Sequence, residues 1–190
     1  MSALRPEVAG LLAQAEAARH DARALCDGLS DTQLLWRPAH GAWGVAECLD
    51  HLVRSGGWFV KQAGHGLAEA HARGLRATSP YRPRLFDRLA ASLLEPPVRR
   101  LRARAPRGAE PAADLDPRAV LAAFEQLQDS LVERVRECDG WDLRRARTRS
   151  PWHPALQLSL GGLLLVTLAH ERRHLWQARR VRQAEGFPRG

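Results

Sequence analysis

Lysine is nearly absent from this chain. Lys61 is the only one, so the net charge of +8 and the pI near 10.9 rest almost wholly on arginine. That skew reads as GC-rich coding rather than selection for phosphate contacts. The arginine-rich runs Arg99 to Arg107 and Arg144 to Arg149 lie in loop-like sequence, with no helix-turn-helix, zinc-finger spacing or aromatic RNA platform beside them. Charge alone gives only salt-sensitive, non-specific attraction, so no specific nucleic-acid partner is expected. Cysteine is scarce too. Cys26, Cys48 and Cys138 are odd in number and far apart, forming neither a C-x-x-C pair nor a secreted framework, which fits reduced thiols in a cytoplasmic protein. Long apolar runs are also missing. The longest, Leu158 to Ala169, is broken by Ser159, Gly161, Gly162 and Thr167, too short to cross a bilayer. Met1 to Gln14 carries Arg5 and Glu7 and lacks the apolar core of a leader, so a soluble protein with no membrane partner is expected. No convincing alternating strand is visible anywhere.

What is present is helical spacing. At 190 residues the chain fits one domain, 1–190, able to bury a core without disulfides or a structural metal. Val8, Leu11, Leu12, Ala15, Ala18 and Leu25 predict a helix from Pro6 to about Cys26, closed by Gly28. Ser30 and Gln33 form a capping box for a short turn, Asp31 to Trp36. A second long helix is predicted from Val45 to about Ala72, with Gly56, Gly57, Gly64 and Gly66 as candidate sites of a bend. Gly74 to Leu115 reads as a long crossover with at most a helical piece near Leu85 to Leu94. Asp116-Pro117 then opens a helix to about Cys138, and a last one runs from about Ser159 to Gln183, Arg-rich at its end. The expected architecture is all-α: a four-helix bundle with a long crossover between helices 2 and 3.

The most specific local string is His170-Glu171-Arg172-Arg173-His174, which matches H-E-x-x-H. At i and i+4 on a helix two imidazoles lie one turn apart on one face and can chelate one divalent ion, although two histidines on a wet face would give the same string by accident. A zincin peptidase would continue H-x-x-G-x-x-H, but position 177 is Gln, position 180 is Arg, and Glu185 is the sole carboxylate in the short tail. The third ligand must therefore lie upstream. His51 is the best candidate, because Cys48, Leu52 and Ser55 turn its face inward and bundle metal sites are built from facing helices. Three neutral imidazoles suit Zn, Ni or Fe and leave positions open for water or substrate.

These residues carry a resemblance. Leu34, Trp36, Arg37, Pro38, Trp43, Glu47 and His51 in the first block, with His153-Pro154 and His170 to Gln177 later, are similar to the DinB-like metal-binding superfamily. The resemblance implies a four-helix bundle, often dimeric, with His51, His170 and His174 as metal ligands. Position 44 is Gly where members of that family often place a capping Ser. The superfamily includes bacillithiol and mycothiol S-transferases and thiol-dependent isomerases. It thus implies a divalent-metal-dependent enzyme acting on a small-molecule substrate, first of all a thiol S-transferase using a metal-activated thiolate and a low-molecular-weight thiol. A metal-dependent hydrolase, or a catalytically inert metal-binding bundle tied to stress or interaction, stands as the alternative.

Glu47 and Glu171 are the candidate general bases or outer partners of the histidines, with a surface carboxylate paired to Arg172 or Arg173 the bland reading of Glu171. Gln177 lies one turn beyond His174. Cys48 reads as a small core hydrophobe, Trp43 and Trp176 as candidate pocket walls, His153 as a candidate pocket residue, and His20, His40, His65 and His71 as solvent-facing.

Overall fold

The computed structural model describes residues 3–97, 105, 108–151 and 156–189. Four long helices form: α1 (Pro6–Cys26), α3 (Val45–Ala72), α5 (Pro117–Glu137) and α6 (Leu160–Arg182), with two short ones, α2 (Asp31–Leu35) and α4 (Leu85–Ser92). Their starts follow from local chemistry. Ser30 Oγ accepts from Gln33 N at 3.3 Å while Gln33 Oε1 accepts from Ser30 N at 2.8 Å, completing the expected capping box. Asp116 accepts from the amides of Arg118 and Ala119, and Ser159 Oγ from that of Gly162 at 2.9 Å.

The loop expected between α5 and α6 contains a short antiparallel ribbon, β1 (Arg147–Arg149) and β2 (Gln157–Ser159), with Arg147 opposite Ser159. Three residues per strand are too few to display alternation. The ribbon is anchored from outside: Thr148 and Leu158 are buried, and Thr148 Oγ1 donates to the Gln62 carbonyl at 3.1 Å.

Both α1 and α3 pack against α5 and α6. The apolar interior forms two clusters. One takes Val8 to Ala15 of α1, Phe59 to Ala70 of α3, Leu131 to Val135 of α5 and Leu160 to Leu168 of α6. The other takes Ala18 to Cys26, Val45 to Leu52, Val120 to Phe124 and Leu175 to Val181 of the same four helices. Reading each helix from one cluster to the other gives its direction. α1 and α6 run one way, α3 and α5 the other. Because α3 and α5 are parallel neighbours, the chain must return the length of the bundle between them, which is the physical reason for the long crossover. Between the clusters lie Gln128, Glu171 and the three histidines 51, 170 and 174, a polar layer across the middle of the bundle.

On its return the crossover lays α4 against α6. Buried Asp87 accepts from Ser159 Oγ at 2.5 Å, and Gly161 and Gly162 leave the room: side chains there would run into the Tyr81 ring and the Asp87 carboxyl. The glycines of α3 mark no break, since the helix is continuous over 28 residues. Gly56 instead admits the Leu127 side chain, whose methyls a Cβ would strike, letting α3 and α5 approach closely. Among the described residues no helix is long and apolar enough to cross a membrane.

Candidate metal centre

His51 lies in the second turn of α3, and His170 and His174 sit one turn apart on α6. One nitrogen from each falls in a set whose members are all within 4.8 Å of one another. The ring centroids are 4.4 to 5.0 Å apart, and His51 Nε2 stands 3.1 Å from His170 Nε2. With metal–nitrogen bonds of about 2.0–2.1 Å, tetrahedral ligand nitrogens are about 3.3 Å apart. The 3.1 Å pair is already close to that spacing. His51 and His174 are buried and His170 half-buried.

Hydrogen bonding decides how His51 presents itself. Its Nδ1 is 2.6 Å from the carbonyl oxygen of Ala109 in the crossover. A carbonyl can only accept, so Nδ1 carries the proton and Nε2 offers its lone pair to the cluster. A backbone carbonyl behind a ligating imidazole is the usual device for orienting the ring. The neighbouring Asp50, also buried, uses Oδ2 to accept from Ala112 N at 2.9 Å and from Arg54 Nε at 2.7 Å. His174 Nδ1 is buried and has no hydrogen-bond partner among the described residues, the orphaned state that a bound ion or water relieves.

The rings are held neutral. Burial, above all, lowers the pKa of His170 to about 3, with the charges of His51 and Arg173 adding to it. Burial likewise pushes His174 well down, helped by His170, His51 and Arg173 and opposed by the side chain of Gln177. His51 is lowered by burial and by Arg173 against the upward pull of the Ala109 carbonyl and Asp50. Metal ligation needs neutral imidazoles, so the donor set is chemically ready for a divalent ion.

Each candidate base is turned to a partner of its own. Glu47 accepts from the Gly44 amide at 2.7 Å and forms a two-point ion pair with Arg37, with contacts of 2.8 Å on both carboxylate oxygens. It caps α3 instead. Glu171 points into the core rather than to a surface arginine. Arg172 is engaged elsewhere, by Glu95 and Gln14. Glu171 Oε1 accepts from Gln128 Nε2 at 2.7 Å, and burial raises its pKa to about 7. Gln128 Oε1 and Glu171 Oε2 are both buried acceptors without a donor among the described residues, and a proton on Glu171 converts one of them into a donor.

Trp43 is a wall of the site, its ring 4.9 Å from His51 and 5.8 Å from His174. Among the described residues Trp176 has no ring contact with His51, His170 or His174 and instead carries Arg180 over its face at 5.3 Å. Phe59, also on α3, sets its ring 5.8 Å from that of His170, tilted by 49°. Cys48 is fully buried in the second apolar cluster. His20, His40, His65 and His71 are exposed, His71 resting on Trp141 at 3.9 Å. His153 lies outside the described residues.

A family model described as the DinB superfamily matches residues 14–178. No curated protein matches the chain. Among solved structures it is similar to YfiT from Bacillus subtilis, described as "a probable metal-dependent hydrolase with an unusual four-helix bundle topology", at 16% identity and a TM-score of 0.61, over 96% of this chain and 90% of that one. At that identity the likeness establishes a shared fold, a four-helix bundle. With the match spanning most of its length, the four-helix chain that gathers His51, His170 and His174 belongs to the DinB superfamily.

Proposed function

We propose that the protein is a metal-dependent enzyme holding one divalent ion, Zn or Ni first and Fe next, on His51, His170 and His174, and that it transfers a low-molecular-weight thiol of the bacillithiol or mycothiol kind to an electrophilic small molecule. The observation that carries the metal is the convergence of three neutral imidazoles, one locked with its lone pair inward. When bound, such an ion supplies a Lewis acid that lowers the pKa of a coordinated nucleophile.

The chain's carboxylates favour the thiol over water. Glu47 is tied to Arg37 and Gly44, Asp50 to Arg54 and Ala112, and Glu171 to Gln128. A hydrolase gains from a protein base that takes the proton of water, and these three are committed elsewhere. A thiol, with an ordinary pKa near 8.5, needs far less help to ionise at neutral pH. In the transfer the S–C bond forms, the leaving group departs with its electron pair and the thiol proton passes to solvent. Trp43 and Phe59 supply an apolar wall against which an electrophile can lie. A hydrolase is the second reading, favoured by the description of YfiT.

Metal analysis of protein purified without a polyhistidine tag tests the first step. About one equivalent in the wild type and less than a tenth in His51→Ala is the expected result, and equal metal in both would overturn it. Turnover of a monochlorobimane-type electrophile with bacillithiol, mycothiol or glutathione then separates the readings. Metal-dependent S-conjugation supports transfer, thiol-independent ester or amide cleavage selects the hydrolase, and metal without turnover selects the inert bundle.

A further inference from the structure

Two consecutive residues of α3 grip the same short piece of the crossover. His51 Nδ1 donates to the Ala109 carbonyl at 2.6 Å, and Asp50 Oδ2 accepts from the Ala112 amide at 2.9 Å. Asp50 is steadied for this by Arg54, one turn along the same helix, whose Nε donates to the same oxygen at 2.7 Å. The carboxylate is buried, while the guanidinium is partly exposed. Arg54 thus holds the carboxylate, and the carboxylate holds the crossover.

We infer that residues 109–112 of the crossover are a working part of the metal site, and that Asp50 is a positioning residue for His51 acting through them. This rests on the metal reading above. With the stretch docked, the Ala109 carbonyl fixes both the ring plane and the tautomer of His51, keeping Nε2 toward His170. With the stretch released, the ring is free to turn about its side-chain bonds and to carry its proton on either nitrogen, so only a fraction of the population is ready to ligate. Outer partners of this kind change metal affinity on the order of 10- to 100-fold. Coupling of this sort is reciprocal: whatever factor docking adds to the affinity for the ion, the ion adds to the stability of docking. Metal occupancy is therefore written into the order of the crossover at Ala109, 58 residues from His51 in sequence.

Zinc affinity measured by competition with a chromophoric chelator, and hydrogen exchange of the Ala112 amide with and without zinc, test the coupling on the full chain. Zinc should slow Ala112 exchange in the wild type. Asp50→Ala should bind zinc about tenfold or more weakly, and the two factors should agree within about threefold, since both report one coupling. Asp50→Asn keeps an acceptor for Ala112 and should stay within about threefold of wild type, a rescue that a merely structural role for the charge would not give. Nitrogen chemical shifts of the His51 ring should show protonated Nδ1 in wild type and a tautomer mixture in Asp50→Ala. Ala112→Pro removes the amide without touching α3 and should reproduce the loss, covering the case in which Asp50→Ala does not fold. Asp50→Ala affinity within twofold of wild type, or Ala112 exchange indifferent to zinc, would overturn the inference while leaving the metal site standing. A wild type that takes up neither zinc, nickel nor ferrous iron would remove the metal reading, and this inference with it.

Discussion

Replacing Gly44 by serine should destabilise the protein, against what helix-capping preferences suggest. Gly44 is the N-cap of α3 with an extended backbone, φ −81°, so nothing in its dihedrals demands glycine. A serine there would ordinarily add a few tenths of a kcal/mol. Packing reverses the sign. A Cβ at position 44 would lie 2.6 Å from the Trp36 carbonyl oxygen, 3.3 Å from its carbon and 3.4 Å from the Leu34 carbonyl oxygen. Carbon–oxygen contacts settle near 3.3 Å or beyond, so the end of α2 must retreat by about 0.7 Å. The obstacle is main chain, which cannot rotate away, and α2 is pinned by its capping box and by fully buried Leu34. Overpacking of this kind costs about 1–3 kcal/mol, against which the cap returns only tenths. At about 2–4 °C per kcal/mol for a chain of this size, Gly44→Ser should melt about 1–11 °C below wild type, and Gly44→Ala at least as low. Thermal and urea unfolding of the metal-free protein measures it. A melting temperature equal to or above wild type would show that α2 is not pinned as described.

Three further outcomes are expected. Glu171, with its pKa raised from 4.5 to about 7, stabilises the fold fully below pH 4.5 and loses that contribution as pH rises through 7. Metal-free wild type should therefore lose about 3 kcal/mol relative to Glu171→Gln between pH 4.5 and 8 in urea titrations, and a pH-independent difference would contradict it. Burial lifts the Cys26 thiol to about 11, Cys138 to about 12 and Cys48 further still, so Ellman's reagent at pH 8 should label none of the three promptly in native protein and all three in urea; one fast equivalent would refute the burial. Gly162→Ala should push Asp87 off the start of α6 and loosen α4, costing about 1–3 kcal/mol and speeding tryptic cleavage at Arg84 and Arg88; unchanged cleavage would mean α4 is docked by other contacts.

How far the sequence could be read depended on where each signal resides. The four long helices were legible because their apolar spacing and start signals, Pro6, Asp116-Pro117 and Ser159, are local. The length and the Pro-, Arg- and Ala-rich composition of Gly74 to Leu115 were enough to expect a crossover, but its cause, two parallel neighbours, appears only when helix directions are known. The ribbon at Arg147 to Arg149 was invisible because three residues have no period. His51, His170 and His174 could be named together from spacing and inward faces, whereas the Ala109 carbonyl could not, since every residue has a carbonyl. Glu47 and Glu171 looked alike as acids beside histidines. Only their partners, Arg37 with the Gly44 amide for one and Gln128 for the other, separate a helix cap from a neutralised core acid.

The polar layer across the bundle has a consequence for how such a protein can change. It divides the interior into two apolar plugs, one ending at Ala15, Phe59, Leu131 and Leu168, the other beginning at Ala18, Leu52, Phe124 and Leu175. Residues in separate plugs share few neighbours, so substitutions in one should add to those in the other nearly independently. One end of the molecule can then be rebuilt, helix ends and loops together, while the other end and the histidine layer stay in register. The same division lets either plug open without the other, so the ends are natural units of partial unfolding with the histidine layer as their common boundary.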